Sequence, residues 1–282
     1  MPVARTRPPA LKERAALAPP APLSSTAGDP DFMLSLARGL SVIRAFGDGD
    51  SRLSIADVAR RANLSRAAAR RCLYTLQSLG YAGAVEGGYE LTPAILALGY
   101  AYLTSTPVAR VAQPILERVS EDLHESSSLA VLDGDEIVYI ARAATKRILS
   151  IGLNVGSRLP AACTSMGRVL LANADAGVRA RFLARAKLVA HTPRTIVDPT
   201  ELGAELDRVR AAGYALIDQE LELGLRSIAV PVRRRDGVVI AAVNAGVQLA
   251  RADRQVLVKE FLPVLERAAA EISLALAPRH GV

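Results

Sequence analysis

The stretch "LSIADVARRANLSRAAARRCLYTLQSLGYAGAVEGGYELT", Leu53 to Thr92, leaves the chain little freedom. Ser54 followed by Asp57 three residues on has the form of a capping box, so a helix starts there, with Ile55, Val58, Ala59 and Ala62 facing inward. The turn Ala62-Asn63-Leu64 is short, and Ser65 opens a second helix as a good N-cap. After Gly80 the pattern changes to two short strands around Gly87-Gly88. Helix, tight turn, helix, hairpin is the order of a winged helix-turn-helix. The preceding "MLSLARGLSVIRAFG" places Leu36, Leu40, Ile43 and Phe46 on one helical stripe and stops at Gly47.

The second helix carries three arginines, Arg66, Arg70 and Arg71, in its first two turns, where the helix dipole disfavours cations. At 100° per residue, Ser65, Ala69, Cys72, Leu73 and Leu76 gather on the core side. Ala67, Arg71, Tyr74 and Ser78 point away, flanked by Arg66 and Arg70. A solvated basic face is the bland reading. The capped preceding helix, tight turn and hairpin favour the other, a recognition helix entering the major groove by its N-terminal end. The expected DNA-binding residues are Ser65, Arg66, Ala67, Arg70, Arg71 and Tyr74. Arginines there reach guanine edges or phosphates, the small Ala67 and Ala68 allow close approach, and Ser65 with the first-turn amides can hold a phosphate. Arg60 and Arg61 read equally as phosphate contacts or as plain surface.

A chain of 282 residues has room for about two domains at roughly 150 residues each. The expected fold is α+β. Residues 1–30 form a disordered Pro/Ala-rich tail, 31–92 the winged helix-turn-helix and 93–106 a linker helix. Residues 107–277 form an effector-binding domain with a mostly antiparallel sheet flanked by helices, and 278–282 a flexible end. In that last domain "SSLAVLDGDEIVYIARA" reads as strand, Asp-Gly-Asp turn, strand, and "KRILSIGLNVGS" as a further strand. Helices are expected at 163–186 and 199–212, strands at "YALID", "RSIAVPVRR" and "VVIAAVNAGV", and a closing helix over roughly 251–276.

The net charge of +7, from 35 basic and 28 acidic residues, suits a nucleic-acid partner without requiring one. Cys72 and Cys163 fit no zinc or disulfide spacing, so neither a metal nor a cofactor is expected. No run of about 18 apolar residues argues for a membrane span and no apolar leader for secretion, which makes the cytoplasm the expected location. The histidines His124, His191 and His280 have no metal-type neighbours in sequence, and no nucleophile elbow, P-loop or dinucleotide fingerprint occurs. Cys163 lacks a histidine nearby in sequence, so enzymatic activity is not expected.

"SLARGLSVIRAF", "ADVARRANLSRAAARRCLYTLQSLGY" and "YELTPAILALGYAYL" resemble the DNA-binding domain of the IclR family of bacterial transcription regulators. "RLPAACTSMGRVLLA" and "DQELELGLRSIAVPV" resemble its effector domain, and the likeness runs from about Phe32 to Leu276. "YIARAATKR" and "VGSRLPA" are most similar to the branch that regulates aromatic-acid catabolism. The resemblance implies operator DNA and a small aromatic or dicarboxylic acid of the protocatechuate/4-hydroxybenzoate (β-ketoadipate) pathway as ligands. It also implies a GAF-like effector domain, a homodimer or homotetramer, and RNA polymerase as a further partner. Where that branch places a serine and then a histidine after the asparagine of "AAVNAGVQ", this chain has Gly246 and Gln248.

"VGSRLPAACTSMGRVLLA" reads as a loop followed by a helix with Thr164 at its N-cap. The amides of Ser165, Met166 and Gly167 would then point out of a helix end with no acidic residue in its first turn, a ready carboxylate site. The resemblance implies that this helix start lines the effector pocket, with Asp218, Ser227 and Asn244 arriving from the sheet. Those side chains suit phenolic hydroxyls, and Arg142 can take a carboxylate bidentately. The plainer alternatives are a simple cap for Thr164 and Ser165, a turn residue for Asp218 and a surface or salt-bridge residue for Arg142.

Overall fold

The computed structural model describes residues 29–48, 50–145 and 153–276. Almost all of the expected tail, the C-terminal end and most of the expected strand in "KRILSIGLNVGS" lie outside the described residues. The chain divides into two compact units between Ser105 and Thr106. No helix among the described residues is long and apolar enough to cross a membrane.

In the first unit α1 (Leu34–Arg44), α2 (Ile55–Arg61) and α3 (Arg66–Ser78) enclose a core of Val42, Ala45, Leu53, Val58, Ala59, Ala69, Leu73, Leu76 and Ala82. Ser54 caps α2 as expected: its Oγ accepts the Asp57 amide at 3.2 Å, and the Asp57 carboxylate accepts the Ser54 amide. The strands β1 (Ala82–Val85) and β2 (Gly88–Leu91) form the hairpin. Its two-residue loop is Glu86-Gly87, one residue earlier than expected, because Gly87 takes the left-handed φ of +82°. Gly88 lies on the strand for another reason: a Cβ there would stand 2.5 Å from the Leu53 carbonyl oxygen, where Leu53 and Tyr89 bridge antiparallel.

The stripe expected on α1 holds in its C-terminal half only. Ile43 and Phe46 pack against the core, but Leu36 and Leu40 are 58% and 50% exposed, and Val42 and Ala45 are the buried residues. The helix is apolar on more than one side, so periodicity does not choose the buried face. α4 (Leu96–Ser105) is likewise rich in exposed apolar side chains, Leu96, Leu98, Tyr100 and Tyr102.

The second unit is built on a six-stranded antiparallel sheet, order β5-β4-β3-β8-β7-β6. Its strands are β3 (Ser126–Asp133), β4 (Glu136–Ala143), β5 (Arg158–Pro160), β6 (Ala215–Asp218), β7 (Leu225–Arg233) and β8 (Val239–Gln248). The helix α5 (Pro107–Leu123) and the closing run pack on one face. That run is α9 (Arg254–Val256), a π-helical turn (Leu257–Phe261) and α10 (Leu262–Ala275). On the other face α6 (Ser165–Asn173) lies across β3, β7 and β8, backed by α8 (Pro199–Ala212). The helical stretch expected over 163–186 is two helices, α6 and α7 (Ala176–Arg185), broken where Ala174 turns extended. All of α6 except Asn173 is buried, and its approach is close: a Cβ on Gly167 would sit 2.2 Å from the Ala161 carbonyl oxygen.

Candidate functional sites

The outward face of α3 is set by its caps and core. Ala69, Leu73 and Leu76 are buried, and Arg66, Ala67, Arg70, Arg71 and Tyr74 are exposed. None of the three arginines has an ion pair or hydrogen bond among the described residues. The neighbouring cations do: Arg60 pairs with Asp57 at 2.7 Å and Arg61 with Asp50. That separates the two groups, which sequence left level. Ser65, placed on the core side by periodicity, is exposed, and its Oγ accepts the Ala68 amide at 3.2 Å, leaving its hydroxyl proton free to donate outward. Ser54, Arg66, Ala67, Arg70, Gly88 and Tyr89 line one cleft, which joins the start of α3 to the hairpin. The face can therefore meet a polyanion with cations that no carboxylate among the described residues neutralises.

The second site lies on the sheet face under α6. Alternation along the strands puts Ser126 and Ser128 of β3, Asn244 and Gly246 of β8, and Ser227 of β7 on that face. Arg142 pairs across β4–β3 with Ser128, which in turn stands opposite Asn244. Arg142 donates from Nη1 to Ser128 Oγ at 3.0 Å, and no carboxylate pairs with it among the described residues. Burial pushes its guanidinium below the usual arginine range, opposed by the neighbouring Tyr139, whose own phenol burial pushes up to about 12. Thr164 is the N-cap: its Oγ1 accepts the Gly167 amide at 3.3 Å and donates to the Pro160 carbonyl at 2.9 Å. Of the three amides expected to face a ligand, Gly167's is thus taken by the cap. Those of Ser165 and Met166 have no partner among the described residues. Arg142 Nε, Asn244 Oδ1 and Ser165 Oγ are buried and make no hydrogen bond among the described residues. Buried polar groups are nearly always satisfied, so orphans at one helix start and the sheet face beneath it mark a place for a polar guest.

Asp218 does not belong to this group. It stands opposite Arg226 across β6–β7, and alternation sends it to the face away from Ser227; β6 presents Ile217 on the α6 side. Its carboxylate accepts from Arg226 Nε at 2.9 Å and lies 3.4 Å from Arg194. Burial alone would raise its pKa. The hydrogen bonds from Arg226 and Gln219 and the charges of Arg226 and Arg194 outweigh that and hold it below the usual carboxylate range.

Ser126 and Ser128 escaped the sequence reading, although the run Ser126-Ser127-Ser128 at the head of an apolar strand was a signal. So did Arg168, a buried cation inside α6. It donates to the Ala162 carbonyl at 2.9 Å and to the Glu220 carboxylate at 2.5 Å, pinning the first turns of α6 to the β6–β7 loop.

The family model for the bacterial transcriptional regulator IclR C-terminal domain matches residues 100–274, and that for the IclR helix-turn-helix domain matches residues 35–85. The chain belongs to the IclR family. This IclR-family chain is 50% identical over 271 residues to the Pca regulon regulatory protein of Pseudomonas putida, covering 94% of this chain and 93% of that one. It is 38% identical to the p-hydroxybenzoate hydroxylase transcriptional activator of Acinetobacter baylyi, over 86% of this chain and 91% of that protein. It is also similar to the crystal structure of an IclR homolog from Microbacterium hydrocarbonoxydans complexed with 4-hydroxybenzoate. That match has a TM-score of 0.75 at 30% identity, over 86% of this chain and 98% of the other.

Proposed function

We propose that this chain is a DNA-binding transcriptional regulator controlled by a small acid of protocatechuate or 4-hydroxybenzoate breakdown. The observation that carries the reading is the set of unsatisfied polar groups at the α6 start and the sheet face below it. A ligand carboxylate is met by the amides of Ser165 and Met166, and a second anionic or phenolic end by Arg142, with Ser227 and Asn244 sorting substituents. The names of the relatives support the pathway: one regulates a Pca regulon, one activates a p-hydroxybenzoate hydroxylase gene, and one binds 4-hydroxybenzoate. On the DNA side, Arg66, Arg70 and Arg71 reach bases or phosphates, with Ser65, Ala67 and Tyr74 completing the face. The ligand is sensed and not transformed, and the protein acts in the cytoplasm as a homodimer or tetramer, with RNA polymerase as a further partner.

Regulation requires a ligand that favours one arrangement of the protein. A differential of about 1–3 kcal/mol changes operator affinity about 5–150-fold, and operator DNA changes ligand affinity by the same factor. Calorimetry with protocatechuate, 4-hydroxybenzoate and β-ketoadipate, with and without operator DNA, measures both. The expected outcome is one acid binding well below millimolar, with affinity lost in Arg142→Ala and altered by DNA. Binding of none of the three removes the pathway. Binding that ignores Arg142→Ala and Ser227→Ala removes the site.

A further inference from the structure

The effector unit holds a concavity that shares no lining side chain with the polar face under α6. It is a cleft of about 370 Å³, within the roughly 300–1,000 Å³ of small-molecule sites. Pro160, Phe182, Leu188, Val189 and Ile196 give it apolar walls, and Cys163 lies at its floor. Arg185, the last residue of α7, and Lys187 just beyond it stand at its rim, both exposed and with no ion pair among the described residues. His191 also lines it. Of the two carboxylates there, Glu136 is held by Arg158 at 2.7 Å, and Asp135 lies in the exposed β3–β4 turn. Apolar walls and unneutralised cations at one mouth are the complement of an amphipathic anion with a flat apolar body.

We propose that this cleft is a second ligand site and takes a small aromatic carboxylate. The ring lies against Phe182 and Pro160, and the carboxylate meets Arg185 and Lys187. The site is tied to the first one through hydrogen bonds. In the wall segment, Thr192 Oγ1 donates to the Gln219 carbonyl and Thr195 Oγ1 to the Glu220 carbonyl, each at 2.6 Å. The Ile196 amide donates to the Glu220 carboxylate, which also accepts from Arg168 of α6. Arg168 in turn holds the carbonyl of Ala162, which lines the cleft. An occupant that shifts this wall therefore shifts the loop to which Arg168 ties α6, the helix whose start forms the first site, and each ligand changes the affinity of the other by one common factor.

The probe is 4-bromobenzoate, whose bromine is located by anomalous scattering in crystals of the full chain and whose binding is measured by calorimetry in solution. The expected result is a bromine peak between Phe182 and Pro160, together with a binding event weakened at least tenfold in Arg185→Glu/Lys187→Glu. That event survives Arg142→Ala, which acts on the first site alone, so the two sites fail or stand separately. Both substituted residues are exposed, so the thermal midpoint should hold; if it falls, Arg185→Gln/Lys187→Gln replaces the double reversal and the same weakening is required. A peak with no matching event in solution, binding at crystal concentration only, overturns the proposal. So does affinity unchanged by either pair of substitutions.

Discussion

Arg71 and Asp218 show how the partner within reach decides the role of a charge. Arg71 is exposed and has no ion pair among the described residues, so replacing it by Ala takes nothing from the described fold, and stability should stay within about 0.5 kcal/mol. Operator binding should weaken by about 1–3 kcal/mol if Arg71 reads a base. If it touches phosphate, binding weakens evenly across sequences and the salt slope falls by about one. Fluorescence anisotropy over a salt series separates the two, and unchanged affinity removes Arg71 from the interface. Asp218 has its partners within the chain. Its folded carboxyl titrates below the unfolded value of about 3.9, so its stabilising contribution is full above about pH 4 and is lost as pH falls through the folded value. The gap in thermal midpoint between the native chain and Asp218→Asn should therefore be widest near neutrality and shrink on acidification toward pH 3. A gap that is independent of pH would mean that Asp218 acts through packing.

Two helices carry the sites, and each is fixed by its first turn. In α3, Ser65 satisfies one amide and leaves the outward arginines where the core-facing Ala69, Leu73 and Leu76 direct them. In α6 the close pass over Ala161 demands glycine at position 167. Gly167→Ala drives a Cβ into backbone atoms that cannot move aside, so it should cost about 1–3 kcal/mol and displace the amides of Ser165 and Met166. Thermal unfolding and acid-binding calorimetry should both register the change, while operator binding without ligand stays near normal because α3 lies in the other compact unit. Full retention of ligand affinity would show that the start of α6 does not hold the acid.

At the scale of the whole molecule, exposed apolar side chains are the unanswered feature. Leu36 and Leu40 on α1 and Leu96, Leu98, Tyr100 and Tyr102 on α4 are too many to leave to water without a partner surface. We expect a second copy of the chain to cover them, which also places two α3 helices on two half-sites. Sedimentation at micromolar concentration should give a dimer or larger, and Leu98→Glu/Tyr102→Glu should shift it toward monomer and weaken operator binding. A monomer in the unaltered chain would leave these faces unexplained.

Local pattern determined most of the elements. Caps at Ser54 and Ser65, glycines at turns, strand alternation and the cluster of arginines at the start of α3 are properties of neighbours in sequence, so the winged helix-turn-helix, the mixed second domain and the cationic face were legible before any coordinates. What tertiary structure decided were choices between faces. α1 is apolar on more than one side, and only packing against the core selected Val42 and Ala45 over Leu36 and Leu40. Asp218 and Ser227 are close in sequence, but the β6–β7 register sends them to opposite faces. Ser128, Arg142 and Asn244 come together only because β3 lies between β4 and β8, and Arg168 meets Glu220 across a separation of 52 residues. Strand order and register are settled by long-range pairing, and no short-range pattern encodes which side of a sheet a distant partner will cover.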